Sequence, residues 1–462
     1  MISDPGAVLL VSCYELGHQP LATSQAAAFL RRAGLQPTQL DLAQGVLTPA
    51  AARGAEVIVF SVPMHTALRV GVEAATLAKR LNPGVQVGFF GHYAWLNRQY
   101  LLDGVADWVL AGESEEALVE RLSTGRIQTD APVLRRLDFP VPYRQGLPSL
   151  DHYVMMEHGE RRVAAGYVEG SRGCLHLCRH CPIPPVYGGR FFAIPVETVL
   201  ADIRALVAAG AGHITFGDPD FLNGPGHARK LAQALHREFP EVTFDFTAKV
   251  EHLLKHRALL PELVQAGALF VVSAVESLSD TVLGHLEKGH TRSDVFEALR
   301  LTREVGLALR PSLVAFTPWT TLDDYVELVE FVGDQGLTRH IDPIQLTIRL
   351  LIPPGSGLLE RDAVRPFLGP LEPVRLGYSW THPDPRMDAL YTVVTKVMEQ
   401  GNNEGADPEV IVERIRAQAV TIRDGRPASP RPTTPSVLPV PRLTEAWFCC
   451  AEPAPEQLVT LR

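Results

Sequence analysis

Short apolar runs and helix-forming stretches alternate twice along these 462 residues, and a proline-punctuated break separates the two series. In the first series, runs at 7–13 (AVLLVSC), 37–42, 56–61, 85–90 and 107–112 have the length of buried strands. Between them, stretches such as SQAAAFLRRAG and GVEAATLAKRLN have apolar spacing suited to helices packed on a sheet. Each crossover lays a helix over one face of the sheet, so this alternation implies an α/β fold with a doubly wound parallel sheet. Ligands are expected at the carboxyl ends of its strands. Pro132, Pro140, Pro142 and Pro148 then interrupt a segment with no clear period, which reads as a linker. In the second series, strands are expected at 162–170, 213–218, 242–248, 268–276, 308–316 and 343–351. Six βα units suit a (β/α)6 partial barrel with its chemistry at the strands' C-terminal mouth. Past residue 370, helices are expected near 384–400 and 407–422, followed by a Pro-rich extended arm at 425–442. The expected division is a doubly wound domain at 1–125, a linker at 126–160, a partial barrel at 161–370, and a C-terminal helical region, arm and Cys-Cys tail at 371–462.

The six cysteines stand at 13, 174, 178, 181, 449 and 450. A secreted disulfide framework would spread them through so long a chain, whereas this clustering points to metal or redox chemistry in the cytoplasm. The net charge of −9 argues against a nucleic-acid partner. No run approaches the ~18 apolar residues of a membrane span. The N-terminus has no basic segment before its apolar run and does not read as a signal peptide. Cys13, ending an apolar strand, reads as a buried structural thiol.

The strongest local signal is SRGCLHLCRHCP at 171–182, a C-x3-C-x2-C arrangement directly after an expected strand. Three thiolates so close in sequence can hold three irons of a cubane that ordinarily takes four cysteines, leaving one iron open. A zinc site completed by His176 or His180 also fits the spacing. The loop's place after the first strand of a six-fold βα series favours the cluster, since structural zinc sites mostly sit in small modules.

Spacing, placement and βα repeat together resemble the radical S-adenosylmethionine (SAM) superfamily over about residues 160–355. The resemblance implies a partial TIM barrel carrying a [4Fe–4S] cluster on Cys174, Cys178 and Cys181, with the open iron binding SAM. It also implies a SAM-binding turn after the second strand. Here that turn reads FGDPDF, so Gly217, Asp218 and Asp220 stand at it, although the family's usual Gly-Gly-Glu is absent. At the end of the fourth strand the family's polar SAM contacts fall on Ser273, Glu276 and Ser277. Arg349 in the sixth strand is expected on the SAM carboxylate and Tyr187 against adenine. Asp218 and Asp220 also suit helix N-caps, and Arg349 also suits a buried ion pair.

The N-terminal domain resembles the Rossmann-like cobalamin-binding domain of cobalamin-dependent radical SAM enzymes in SVPMHTALR, FFGHYAW and VLAGESEEAL. Cobalamin is accordingly a possible third cofactor. Gly91 would let backbone approach a corrin, and Glu113 and Glu115 suit a helix start. The Asp-x-His-x-x-Gly motif that supplies a lower axial histidine is absent, and His18, His65 and His92 read as ordinary loop histidines. WFCCAEP at 447–453 is similar to the hallmark of the CUAEP/CCAEP-tail radical SAM (seleno)proteins. Exchange of sulfur for selenium serves a nucleophile, a redox centre or a soft-metal ligand, so Cys449 and Cys450 are expected to be catalytic.

The implied activity is reductive cleavage of SAM to start radical chemistry on a small-molecule substrate. An external electron donor such as flavodoxin or ferredoxin is expected, with no nucleic-acid or membrane partner. Cobalamin-dependent methyl transfer is one expected outcome. A cobalamin-free group transfer or rearrangement using the tail thiols is another, and a zinc-stabilised ligand-binding protein is the rival from outside enzymes.

Overall fold

The computed structural model describes residues 6–126, 130–429 and 440–445. Its first sheet contains β1 (Val8–Ser12), β2 (Thr38–Asp41), β3 (Val57–Ser61), β4 (Gln86–Phe90) and β5 (Trp108–Leu110), all parallel in the order β2-β1-β3-β4-β5. β1 and β3 are buried along their whole length because helices cover both faces. One face packs the cluster containing Phe60, Phe89 and Leu68, and the other the cluster containing Ala26, Leu30 and Trp108. Strand order reverses between β1 and β3, the place where doubly wound sheets open a crevice for ligands.

The second sheet begins in the proline-rich break. β6 (Met155–His158) runs antiparallel to β7 (Arg161–Val168), so the expected linker contributes a strand to the sheet. A short hairpin of β8 (Ser171–Gly173) and β9 (Phe191–Ala193) brackets the cysteine loop. β10 (Ala211–Phe216), β11 (Thr243–Thr247), β12 (Ala268–Glu276) and β13 (Ala308–Leu313) continue in parallel from β7. The sheet curls into a half-barrel whose helices share one large core with the C-terminal helices Pro385–Asn403 and Pro408–Asp424.

The expected sixth strand is a correction. Residues Pro343–Thr347 form a 3-10 turn whose first residues are held by the Asp342 carboxylate, which accepts from Ile344 N at 3.2 Å. Only a bridge between Phe316 and Arg349 remains of strand pairing. Leu346, Ile348 and Leu350 are buried and alternate with Thr347 and Arg349, a strand-like period that so short a turn also satisfies. A hairpin of β14 (Leu368–Glu372) and β15 (Gly377–Trp380) follows, and β16 (Arg442–Leu443) returns antiparallel to β6. Leu351 and Leu376 pack into the first sheet's core, joining the half-barrel to the N-terminal domain. None of the described helices is long and apolar enough to cross a membrane.

Candidate active site between the two sheets

β7 leads into the cysteine loop, and the loop is fixed from the neighbouring strand. The buried Asp218 carboxylate, just past β10, accepts from Gly170 N at 2.8 Å and from Ser171 Oγ at 2.5 Å. Burial outweighs these hydrogen bonds and pushes its acid up to about 7. Gly217 N donates to Val168 O at 2.8 Å, and a Cβ at 217 would strike the Tyr167 ring, so only glycine lets the two strand ends approach.

The loop delivers three cysteine thiols, none in a disulfide, to one cavity. Cys174 and Cys178 are buried and Cys181 half-buried, and all three line a space of about 260 Å³ together with His176, His180 and Ile183. Burial is the main cause that lifts the Cys174 thiol to about 11. Thiols in so dry a place favour a positive partner such as a metal centre.

Glu276 ends β12 at the cavity. The pairing with β13 shifts register between Ala274 and Glu276, and Glu276 has φ 63°, a sparsely populated conformation for a non-glycine residue. This kink turns the carboxylate inward, where it meets Lys288 Nζ at 3.0 Å and His180 Nε2 at 3.3 Å. Burial alone would raise its acid. Lys288, then His180, overcome that and hold it at about 2. Lys288 is correspondingly held above its ordinary range, chiefly by Glu276 against burial, with Cys178 and Cys181 adding to the effect.

The opposite wall comes from strand-end loops of the first sheet: Glu15 and Leu16 after β1, Pro63 and Met64 after β3, His92 and Tyr93 after β4. The cavity therefore lies at the β1/β3 switch point as well as at the half-barrel's mouth. Enclosure, with the Arg172 guanidinium, lowers His92 to about 4 and keeps it neutral. Gly91, at φ 113°, has no room for a Cβ against the Val62 carbonyl. It is needed for packing of the loop.

Charge bolts the walls together beside the cysteines. Arg172, in β8, pairs with Glu115 at the start of the helix Glu115–Thr124, with Glu169 at 2.8 Å and with Glu113 at 3.8 Å. Glu113 is pushed up to about 7 by burial, against the pull of Arg172.

Several expected contacts lie elsewhere. Tyr187 is buried in the junction, donating its hydroxyl to Glu113 Oε1 at 2.9 Å, and does not line the cavity. Alternation along β12 points Val272, Ala274 and Glu276 into the cavity and Ser273 away from it. Ser277 accepts from Ser279 N at 3.1 Å in the following turn. Arg349 bonds Asp388 at 2.9 Å and the Trp380 carbonyl at 2.7 Å, and its guanidinium lies 3.6 Å over the Trp380 ring. These contacts hold the C-terminal region. Asp220 is buried and caps the turn Phe221–Asn223, and its carboxylate also meets His252 and His176. His65 is bound to the Arg375 carbonyl at 2.7 Å, and His18 packs 4.6 Å from the Tyr167 ring. Lys249, Lys288 and Glu15 line the cavity with no spacing in the sequence to announce them. Cys449 and Cys450 lie outside the described residues.

Residues 168–332 match the model of the Radical SAM superfamily. Among curated relatives, the hopanoid C-3 methylase of Methylococcus capsulatus is 24% identical over 65% of this chain and 62% of its own length. The ribosomal protein uS12 methylthiotransferase RimO of Nitratiruptor sp. is 28% identical over 41% of this chain and 47% of its own. The chain thus spans about half to three-fifths of the length of these relatives. Among solved structures, the cobalamin-dependent SAM radical enzyme OxsB superposes with a TM-score of 0.65 at 15% identity, covering 85% of this chain and 66% of that one. The radical SAM methyltransferase TsrM of Kitasatospora setae gives 0.58 at 19% identity, over 71% of each chain. These two share the fold of this chain over the portions covered. The domain matched is an enzymatic one whose cofactors are a [4Fe–4S] cluster and S-adenosylmethionine.

Proposed function

From a chain whose residues 168–332 form a radical SAM domain, we propose an enzyme that cleaves SAM reductively and transfers a methyl group through cobalamin to a small organic substrate held between the two sheets. The observation that supports this most is the convergence of Cys174, Cys178 and Cys181 on a cavity whose far wall comes from the other sheet's switch point. In this reading the three thiolates hold three irons and leave the fourth for SAM. Bound there, the cluster and SAM supply cleavage of the sulfonium bond and the radical that starts the reaction.

The chain's own residues set the conditions. Lys288, held by Glu276, lowers the cost of negative thiolates in a dry loop. Asp218 fixes the loop's entry, and Gly217 offers backbone to SAM at the cavity's edge. The apolar wall of Leu16, Pro63, Met64 and Tyr93 excludes water and gives a corrin face a place to lie. Neutral His92 stands beside it. OxsB was solved with aqua-cobalamin and SAM, and TsrM with cobalamin and a [4Fe–4S] cluster. Cobalamin would supply the methyl carrier. The electron is assigned to an external donor of the flavodoxin or ferredoxin class.

A second reading rests on the contacts of Glu445 beside the cavity wall. The Glu445 carboxylate meets the Tyr14 hydroxyl, and its Cβ lies 3.2 Å from where one would stand on Gly17, flanking Glu15 and Leu16 of the cavity wall. Cys449 is four residues further on, at most roughly 13–14 Å of extended chain. In this reading the tail thiols would act as acceptors or donors in a cobalamin-free transfer.

Anaerobic reconstitution separates these readings. The parent protein should hold about four irons and four sulfides, release 5′-deoxyadenosine with SAM and dithionite, and retain added hydroxocobalamin through desalting. Cys178→Ala should lose the cubane. Corrinoid-free protein that turns over only with Cys449 and Cys450 intact would favour the tail reading, and a protein without a cubane would end both.

A further inference from the structure

Beside the cysteine loop, three side chains outside the proposed cluster ligation point their donor atoms at one spot. His176 sits inside the loop, Asp220 follows β10, and His252 lies on the helix Val250–Lys255. His252 Nδ1 is 2.9 Å from Asp220 Oδ2, His176 Nε2 is 3.5 Å from the same oxygen, and the two ring nitrogens are 3.4 Å apart. Zinc–nitrogen and zinc–oxygen bonds of about 2.1 Å place neighbouring donors roughly 3.0–3.4 Å apart, for angles between octahedral and tetrahedral. The three observed edges, 2.9, 3.4 and 3.5 Å, lie close to that range.

Proton accounting points the same way. Asp220 Oδ2 already accepts from Lys249 N at 3.2 Å, while Oδ1 is taken by Leu222 N at 2.9 Å. Two imidazole N–H groups added to Oδ2 would bring three donors to one oxygen, more than its two lone pairs satisfy. Two unprotonated ring nitrogens and one carboxylate oxygen instead give three lone pairs converging on a cation. Outside the triangle, Glu251 Oε2 stands 3.6 Å from His176 Nδ1, the position of the carboxylate that commonly orients a metal-bound histidine. Asp220 is fully buried, His252 nearly so, and of the three only His176 lines the cavity.

We propose that His176, Asp220 and His252 form a mononuclear site for a divalent transition ion of the zinc class, separate from the cysteine site. Two imidazoles and one carboxylate leave a coordination position open, as in catalytic rather than structural zinc sites. That position takes water or an oxygen, nitrogen or sulfur donor of a bound molecule.

The test uses full-length, cluster-reconstituted protein in a Cys449→Ser/Cys450→Ser background, so that tail thiols take no metal. After exposure to zinc sulfate and desalting, zinc, iron and sulfide are counted. About one zinc per chain is expected above the full iron and sulfide complement. His252→Ala and His176→Ala should each lose most of that zinc while iron and sulfide stay at parent levels. No zinc in the parent, or equal zinc in parent and variants, overturns the proposal. If a variant also loses its cluster, Co2+ added to a Cys174→Ala/Cys178→Ala/Cys181→Ala protein decides. Ligand-field absorption without a thiolate charge-transfer band, abolished by His252→Gln, supports the site, and no such absorption refutes it.

Discussion

The two walls of the cavity are built by the same rule and equipped differently. Each is a set of loops at the carboxyl ends of parallel strands. The half-barrel wall carries three thiols, Glu276, Lys288, His180 and Lys249, whereas the N-terminal wall is mostly Leu16, Pro63, Met64 and Tyr93. Parallel sheets put the same kind of crevice at every switch point, so the fold decides where a ligand lies and the loop residues decide what it is. A wall of charges and thiols suits cluster and SAM. A largely apolar wall suits a large flat cofactor or an organic substrate. The walls meet at Arg172, and a variant there tests whether they act as one site.

Arg172→Ala should have the largest effect on stability. Its guanidinium, 12% exposed, is shared by Glu113, Glu115 and Glu169. Removing it leaves buried carboxylates unpaired, which costs about 3–5 kcal/mol. Chemical denaturation should show that loss, and cluster content should fall with it because Arg172 lies two residues before Cys174. A loss below about 1 kcal/mol would mean the walls are held by packing alone.

Asp218 probes the polar wall by pH. Its acid lies at about 7 when folded against an ordinary 3.8, so the native state holds the proton more tightly than the unfolded chain. Its contribution is complete below pH 4 and lost as pH rises through 7. Asn at this position can still accept from Gly170 N and, through its amide, donate to Ser171, without a charge to bury. Asp218→Asn should therefore gain on the parent by about 2–3 kcal/mol between pH 5 and pH 8. Parallel pH profiles would show that the carboxylate is not desolvated.

These residues also mark what the sequence made legible. The cysteine loop was readable because three cysteines within eight residues are brought together by local chain alone. Strands of both sheets were readable because apolar runs of five or six residues between polar stretches have few other uses. Lys288 was harder, and Glu276 was expected only from the family likeness. A register shift and a positive φ at Glu276 bring that pair to the cavity, and neither leaves a trace in residue type. Ser273 and Tyr187 were placed at the site by family likeness, while strand parity and the Tyr187 hydroxyl's bond to the Glu113 carboxylate direct them elsewhere. The segment 343–351 hid its turn because Ile344, Leu346, Ile348 and Leu350 alternate with Gln345, Thr347 and Arg349, which is the period of a strand.

That last segment sets how far round the half-barrel the polar wall extends, and Arg349 tests it with the smallest effect. If strand six were complete, Arg349 would stand at the mouth and its loss would weaken SAM binding. With only a bridge to Phe316, the guanidinium is directed to Asp388, the Trp380 carbonyl and the Trp380 ring. Asp388 is one-third exposed, so solvent screens the pair and the ring contact adds only a modest amount. Arg349→Ala should cost about 1–2 kcal/mol of stability. Its KM for SAM in the 5′-deoxyadenosine assay should match the parent's. A several-fold rise in KM at unchanged stability would instead put Arg349 on the cofactor and extend the charged wall by one strand.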